Sequence, residues 1–206
     1  MPRLTPERRE AKRAEIMAAA RRCFSRDGFH QTSMPDIAAE AGVSQGAPYR
    51  YFESKDEIIL AIAGDAFRLI FAPVERLAAE AVAASVADLT AAALDALSAD
   101  TVLDAAGREV PVDELLRCAV QTWSEMLRNE AVRSPAVEGF ATVRRTIADA
   151  IERGRAAGAV PPSVRPDHGA RVVMGLLHGF LLQRVAFGLT DTAQYSADIK
   201  SLLHHP

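Results

Sequence analysis

The side chains best suited to chemistry lie within one short stretch of the chain. Gln45 offers an amide, Arg50 a guanidinium group and Lys55 an ammonium group, and two tyrosines offer phenols. An amide can pair with adenine, a guanidinium group with guanine or phosphate, and a small methyl group can contact thymine. This set suits contact with nucleic acid. The candidates are Ser33, Ser44, Gln45, Gly46, Ala47, Tyr49, Arg50, Tyr51 and Lys55.

Two short helices joined by a tight turn are predicted to position these side chains. Ser33 can cap the first helix, and Asp36 three residues later completes a capping box. Gly42 ends that helix, because a left-handed backbone favours glycine, and Ser44 can cap a second helix of about two turns. A bracing helix followed by a short helix with exposed polar side chains is the helix-turn-helix arrangement, whose second helix enters the DNA major groove.

A further helix is expected directly after this pair. Ser54 is followed three residues later by Glu57, which is again the pattern of an N-cap. Lys55 then lies in the first turn, where the helix dipole disfavours a cation, so a nearby phosphate would explain it. Other basic residues could also reach phosphates, or they could form a solvated helix end: Arg3, Arg8, Arg9 and Lys12.

The stretch resembles the DNA-binding region of the TetR/AcrR family of bacterial transcriptional regulators. The resemblance covers roughly the first quarter of the chain and implies phosphate contacts for Tyr49, Tyr51 and Lys55. It also implies a dimer formed through the last two long helices, and a helix shared by head and body that couples ligand to DNA. The matching residues are Thr32, Ser33, Ile37, Ala38, Ala41, Gly42, Val43, Ser44, Tyr49, Tyr51, Phe52 and Lys55.

Two prolines depart from the family pattern. Pro48 stands where the family mostly has an aliphatic residue, and it removes a backbone donor at the end of the first turn. Pro35 stands where some members carry a base-reading arginine. Both departures bear on which operator sequence the protein reads. Separately, Tyr51 has an alternative to phosphate contact, which is packing against the protein.

Composition and charge divide the chain into two parts. Residues 1–55 hold 10 Lys and Arg against 7 Asp and Glu, a net charge of +3, whereas residues 56–206 hold 14 against 20, a net charge of −6. A basic head beside an acidic body fits a DNA-binding domain, although a solvated charge imbalance would look the same. Alanine-rich helical patterns predict an all-α fold, with a three-helix helix-turn-helix domain at 1–54 and a larger helical ligand-binding and dimerisation domain at 55–206.

Prolines and loops set the expected helix boundaries in the body. A long helix is expected from Lys55 to about Phe71, and Pro73 should bend or end it. Residues 101–111 have the composition of a loop. Pro135 is expected at the first position of the next helix.

Two long helices carry features of a dimer surface. Apolar residues recur every four positions within 136–157, and two glycines four apart within 167–188 would let helices approach closely. Such helices could equally belong to the core of one chain, but helix-turn-helix proteins usually pair across a two-fold axis. The candidates are Val143, Ile147, Ile151, Val172, Gly175, Leu176, Gly179 and Leu182.

Aromatic and methionine side chains in the body are candidates for a ligand pocket. Few charges lie on the same helix faces, so the expected ligand is a small hydrophobic effector. Such spacing is also typical of core packing, so each side chain could be structural. The candidates are Phe67, Phe71, Trp123, Met126 and Phe140, with His178 and Gln183 as polar contacts.

The sequence offers little for catalysis. No glycine-rich phosphate loop, nucleophile elbow or metal-ligand spacing occurs in it. Cys23 and Cys118 are far apart and indicate a reducing compartment, and no apolar run reaches the roughly 18 residues of a membrane helix. We therefore expect a cytoplasmic protein that is not an enzyme and has no cofactor, metal or membrane partner.

These observations predict a dimeric repressor that a small-molecule effector releases from a palindromic operator in double-stranded DNA. An activator would share every one of these features. A protein of another class also fits, namely a helical small-molecule-binding or interaction protein with an inactive DNA-binding head. Pro48 favours this alternative.

Overall fold

The computed structural model describes residues 5–81, 83–104 and 106–203, and these residues are mainly helical. This confirms the predicted all-α class; Arg3 lies outside the described residues. In chain order the elements are α1 (Pro6–Asp27), α2 (Met34–Glu40), a 3₁₀ helix (Pro48–Arg50), α3 (Lys55–Glu80), α4 (Val86–Ala96), β1 (Thr101–Leu103), β2 (Glu109–Pro111), α5 (Val112–Met126), α6 (Glu130–Ala156), α7 (Pro166–Phe187) and α8 (Thr192–Leu203).

The predicted loop over residues 101–111 is a small hairpin. β1 and β2 pair antiparallel, with Val102 opposite Val110. The Asp104 carboxylate accepts the backbone N–H of Arg108 at 3.0 Å, and Gly107 turns the chain with φ +72°. Strands of three residues are too short for the alternating pattern that reveals a strand in a sequence.

Prolines interrupt the helices less than expected. α3 continues through Pro73 to Glu80, and α6 begins at Glu130 with Pro135 in its interior. A proline inside a helix costs about 3 kcal/mol. Burial of neighbouring side chains such as Phe71 and Val74, which are at most 1% exposed, offsets that cost.

The chain divides into two compact units. The first contains the residues up to Ala66 and Thr101–Arg133, and the second contains Phe67–Asp100 and the residues from Ser134 onward. In the first unit α1 packs against α2 and α5, and in the second α4 packs against α7 and α8. The predicted functional boundary between residues 54 and 55 stays a prediction.

Apolar side chains from several helices fill the interior of each unit. In the second unit these include Val143, Ile147 and Ile151, all at most 1% exposed. The four-residue spacing that suggested a dimer surface on α6 therefore belongs to the core of a single chain.

The helix α7 is unusual because it is apolar yet poorly covered. By length and composition alone it could cross a membrane, although Arg171 and His178 interrupt its apolar run, and 33% of its apolar window is buried within the chain. It is the one such helix among the residues that the structure describes.

Candidate nucleic-acid interface

The helix α2 is fixed at both ends by hydrogen bonds between near neighbours. The Asp36 N–H donates to Ser33 Oγ at 3.3 Å, and the Ser33 N–H donates to Asp36 Oδ2 at 2.8 Å. Hydrogen bonds from the Ser33 side chain and backbone lower the pKa of Asp36. At the other end Gly42 adopts φ +64°, and the Val43 N–H donates to Ala38 O at 3.0 Å, as in a Schellman motif. The predicted capping box and glycine stop are confirmed.

The segment after this turn is shorter than the predicted second helix. Only Pro48–Arg50 are helical, and the helix is of the 3₁₀ type. Because Pro48 has no N–H, it cannot donate to Ser44 O as an α-helix would require; the Ala47 N–H donates to that carbonyl instead, at 2.8 Å. The prediction that the Ser44 side chain caps this helix is wrong, since no side chain caps it.

The candidate DNA-contacting residues differ in how far they are exposed to solvent. Gln45, Gly46 and Arg50 are exposed, and Tyr49 is 58% exposed. The methyl group of Ala47, which was expected to reach thymine, is packed against the protein with 9% exposure. The surface that this segment presents is therefore formed by an amide, a phenol and a guanidinium group.

Carbonyl groups of the turn between α1 and α2 hold Lys55. Its Nζ donates to Phe29 O at 2.7 Å and to Thr32 O at 3.1 Å. These bonds give a structural reason for a cation in the first turn of α3. The first turn of α3 is capped as predicted, because the Glu57 N–H donates to Ser54 Oγ at 3.2 Å. A phosphate contact by Lys55 stays a prediction.

A glutamine on α5 fixes the turn between α1 and α2. Gln121 Nε2 donates to Phe24 O at 2.9 Å, and its Oε1 accepts the Phe29 N–H at 3.0 Å. The Phe24 and Phe29 rings meet edge to face, with their centroids 4.8 Å apart. Nothing in the sequence pointed to Gln121, because its partners lie more than 90 residues away along the chain.

A buried ion network joins α1 to α5 and the hairpin. Arg21 is 4% exposed, donates to Glu114 and lies 3.8 Å from Asp104, which is paired with Arg108 at 2.6 Å. Burial favours a raised pKa for Asp104, but hydrogen bonds from the Arg108 side chain and from the backbone N–H groups of Arg108 and Ala106 outweigh it, so the pKa is lowered. No local sequence pattern links Arg21 to Glu114, which lies 93 residues away along the chain.

A concave surface of about 580 Å³ lies beside the exposed segment. Arg9, Tyr49, Arg50 and Tyr51 are among its lining residues. Of the basic residues near the start of the chain, Arg9 thus faces the same surface as Arg50, whereas Lys12 is paired with Glu15 at 2.6 Å. Cations and phenols that share a concave surface suit contact with a phosphate backbone.

The effector candidates fall into both units. Phe67, Phe71, Phe140 and His178 form one cluster in the second unit, with Phe67–Phe140 and Phe140–His178 centroids 5.2 and 5.4 Å apart. Burial lowers the pKa of His178. Gln183 is half-buried in the same unit. Trp123 and Met126 are half-buried on α5, in the first unit.

The dimer candidates on α7 differ from those on α6. Val172 and Leu182 are 47% and 45% exposed, and a Cβ atom on Gly175 would meet nothing within 4 Å. Leu176 and Gly179 are half-buried. Hence α7 presents an apolar stripe with glycines, whereas the α6 triplet does not reach the surface.

Neither cysteine suggests redox or metal chemistry. Cys23 and Cys118 are both free and buried. Burial, reinforced by Glu114, raises the pKa of Cys118 to about 12, so the thiol is protonated. No group of three His, Cys, Asp or Glu side chains within 5–81, 83–104 and 106–203 is arranged to hold a metal ion.

Comparison with known proteins matches the N-terminal stretch to a family. Residues 16–62 match the family model described as "Bacterial regulatory proteins, tetR family". The chain is also 42% identical over 57 residues to YfiR of Bacillus subtilis (strain 168), described as an uncharacterized HTH-type transcriptional regulator. That match covers 28% of this chain and 28% of the relative.

Two solved structures are similar over most of the chain. Salmonella enterica GusR superposes with a TM-score of 0.71 and 24% identity, covering 98% of this chain and 99% of GusR; at this identity the likeness shows the fold. A complex of SmeT with triclosan has a TM-score of 0.66 and 26% identity, covering 93% of this chain and 90% of SmeT. SmeT is described as the repressor of the Stenotrophomonas maltophilia multidrug efflux pump SmeDEF.

Proposed function

This chain belongs to the tetR family of bacterial regulatory proteins by its N-terminal domain, and on that premise we propose that it is a dimeric, effector-responsive transcriptional repressor. The observation that carries the proposal is the helix-turn-helix geometry. A capped α2 and a Schellman turn lead into a segment that exposes Gln45, Tyr49 and Arg50. This is the arrangement that places polar side chains against base edges in a major groove.

Each exposed side chain of this segment has a proposed role on DNA. Gln45 would pair with adenine, and Arg50 would bind guanine or a phosphate. Tyr49, Tyr51 and Lys55 would contact phosphates, as in the family. Ser33 and Ser44 could add phosphate contacts, although the Ser33 hydroxyl already donates to Asp36 at 2.5 Å. Double-stranded operator DNA with two half-sites about 34–36 Å apart would match a two-fold symmetric dimer.

The aromatic cluster of the second unit is the proposed effector site. Phe67 and Phe140 are half-buried and can rearrange around a ligand, whereas Phe71 is fully buried. His178 is neutral near pH 7 because burial lowers its pKa, so the cluster presents rings and no charge. A hydrophobic effector fits such a site, and the complex of the related SmeT with triclosan supports a small, largely apolar molecule.

We place the dimer surface on α7. Its exposed stripe includes Val172, Gly175 and Leu182, and the open space at Gly175 would let a second helix approach closely. An exposed apolar stripe on this helix calls for another partner, and a second copy matches helix-turn-helix symmetry. A dimer in the cytoplasm accounts for the apolar α7 as well as a membrane would, and it agrees with the family.

The DNA-binding proposal is tested by fluorescence anisotropy with DNA from upstream of the protein's own gene. Preference for this DNA over a scrambled duplex, retained at higher salt, would establish sequence-specific binding. Arg50→Ala should weaken specific binding by about 1–3 kcal/mol if Arg50 reads a base. Arg145→Ala removes the same charge from an exposed position of α6 and should leave affinity unchanged.

The same measurement addresses the alternative of an inactive DNA-binding head. The short 3₁₀ helix at Pro48 favours this alternative, because it offers fewer base-facing positions than a two-turn helix. Equal and steeply salt-dependent binding to both duplexes would mean only phosphate attraction to these fragments. If duplexes from elsewhere in the genome gave the same result, the repressor proposal would fail and a small-molecule-binding protein would be the better description.

A further inference from the structure

A second cavity in the second unit lies apart from the aromatic cluster. It is an open cleft with a volume of about 790 Å³, lined by the start of α4, the end of α6, the loop to α7 and the first turns of α7. This volume is within the range of small-molecule sites in proteins. Its apolar lining includes Val86, Val160, Pro162, Val164 and Leu203.

Basic side chains lie on one part of this apolar lining. Arg155, Arg165 and His168 all line the cavity. Arg155 is held by Glu152 at 2.7 Å and donates to Pro162 O at 3.1 Å. Arg165 has no carboxylate partner within 4 Å among the described residues. The positive end of the α7 dipole adds to this charge, because Arg165 is the N-cap of α7.

The carboxylates near the cavity already have partners. Asp88 accepts the Ser85 N–H at 3.0 Å and the Ser85 hydroxyl at 2.7 Å in the capping box of α4. Glu152 neutralises Arg155, as described above. The Ser85 bonds stabilise the Asp88 carboxylate but leave its charge in place, so the lining carries both signs. Arg165 is the cation that no carboxylate of the described residues pairs with, and it can therefore pair directly with an anionic group of a ligand.

His168 is arranged as a neutral hydrogen-bond donor. Arg165 Nη2 lies 2.9 Å from His168 Nδ1, and a guanidinium group can only donate, so the imidazole proton lies on Nε2. Burial, followed by the nearby charges of Arg165 and Arg171, lowers the pKa of His168 and keeps the ring neutral. The guanidinium group and the Nε2–H are two donors of the kind that a carboxylate accepts.

We infer that this cavity binds a small amphipathic carboxylate, with the carboxylate at Arg165 and His168 and the hydrocarbon part against the valine and proline lining. A monoanion pairs with Arg165, whereas the negative charge of Asp88 on the same lining disfavours the second charge of a phosphate dianion. The apolar lining calls for a hydrocarbon body that inorganic anions lack. The inference does not depend on DNA binding or on the aromatic cluster.

The test is isothermal titration of the full-length protein with octanoate, with octanamide as the uncharged analogue and with inorganic phosphate. We expect octanoate to bind and octanamide to bind roughly ten- to a hundredfold more weakly, the range for hydrogen bonds to charged groups. Arg165→Gln should weaken octanoate binding by a similar factor. Arg171→Gln removes a neighbouring charge of α7 that does not line the cavity and should have little effect.

Two further measurements locate the ligand. Ala159→Phe, at an exposed position of the cavity lining, should block octanoate without altering Arg165. The imidazole NMR signals of His168, assigned with His168→Gln, should shift when octanoate is titrated. Phe140→Ala in the aromatic cluster should leave octanoate binding intact.

Four outcomes would each overturn the inference. These are no octanoate binding stronger than about 1 mM, equal binding of octanamide, tighter binding of phosphate, and equal losses in the Arg165 and Arg171 variants.

Discussion

The two candidate sites of this protein, one in each unit, are surrounded by different kinds of interaction. In the first unit, directional bonds fix the elements around the helix-turn-helix: Arg21 pairs with Glu114, Gln121 bridges the turn after α1, and Lys55 binds two carbonyl groups. In the second unit, Arg153 and Arg184 also donate to backbone carbonyl groups, but the aromatic cluster meets ring to ring. Close approaches of neighbouring segments occur there at Gly154 and Gly169.

This difference agrees with what each unit is proposed to do. Base recognition needs side chains held in one orientation, and hydrogen bonds with defined angles provide that. An effector site must accept molecules of varied shape, and aromatic packing without directional bonds can rearrange at lower cost. Substitutions should therefore damage the two units through different mechanisms.

The largest effect is expected from Arg21→Ala. It leaves the half-buried Glu114 without its charged partner and removes a neighbour of the buried Asp104. Removing one member of a buried ion pair costs about 3–5 kcal/mol. Urea unfolding followed by circular dichroism would measure the loss.

Arg22→Ala is the matched control for this change. Arg22 is the next residue of α1 and pairs with Glu40 at 2.7 Å, but its side chain is 45% exposed. An exposed ion pair contributes less than about 1 kcal/mol. Similar losses in the two variants would show that the buried network does not hold the first unit together.

Gly154→Ala tests the packing of the second unit. A Cβ atom at Gly154 would lie 2.6 Å from Ala84 O and 2.9 Å from Val160 Cγ2, so the backbone of the neighbouring segment would have to move. Overpacking of this kind costs about 1–3 kcal/mol. Thermal unfolding would measure it.

The control for this clash is Gly139→Ala in the same helix. There a Cβ atom would meet Phe67 Cζ at 3.8 Å, an ordinary contact. Alanine favours helix over glycine by about 1 kcal/mol, so this variant should be more stable than the natural protein. A stabilising Gly154→Ala would mean that α6 does not approach the loop as closely as the structure places it.

The same contrast explains what the sequence could predict. The capping box of Ser33 and Asp36 and the stop at Gly42 depend on residues within a few positions of each other, and they were predicted correctly. Gln121 and Arg21 bind partners 97 and 93 residues away along the chain. No local pattern distinguishes such residues from solvated polar side chains.

Two other expectations failed for reasons that sequence patterns do not contain. Pro48 was recognised as an obstacle, but the loss of nearly the whole second helix depends on how the turn residues replace the missing bond, as the Ala47 N–H does. The spacing of Val143, Ile147 and Ile151 identified an apolar helix face correctly. Spacing alone does not say whether that face meets its own chain or a second copy.

The smallest effect is a pH dependence at His178. Burial lowers the pKa of His178 below its ordinary value of 6.5, so the unfolded chain binds a proton at a higher pH than the folded protein does. Stability should therefore fall as the pH drops below about 6.5 towards the folded pKa.

His178→Phe keeps an aromatic ring beside Phe140 without a titrating group and should lose less stability over this range. Urea unfolding at pH 7.5 and pH 5.5 would measure the difference. His168→Gln removes the other histidine whose pKa is lowered and would show how much of the fall belongs to His168. An equal fall in the natural protein and the His178 variant would show that His178 takes up a proton in the folded protein over the same pH range as in the unfolded chain. The aromatic cluster would then be more accessible to water than its packing indicates.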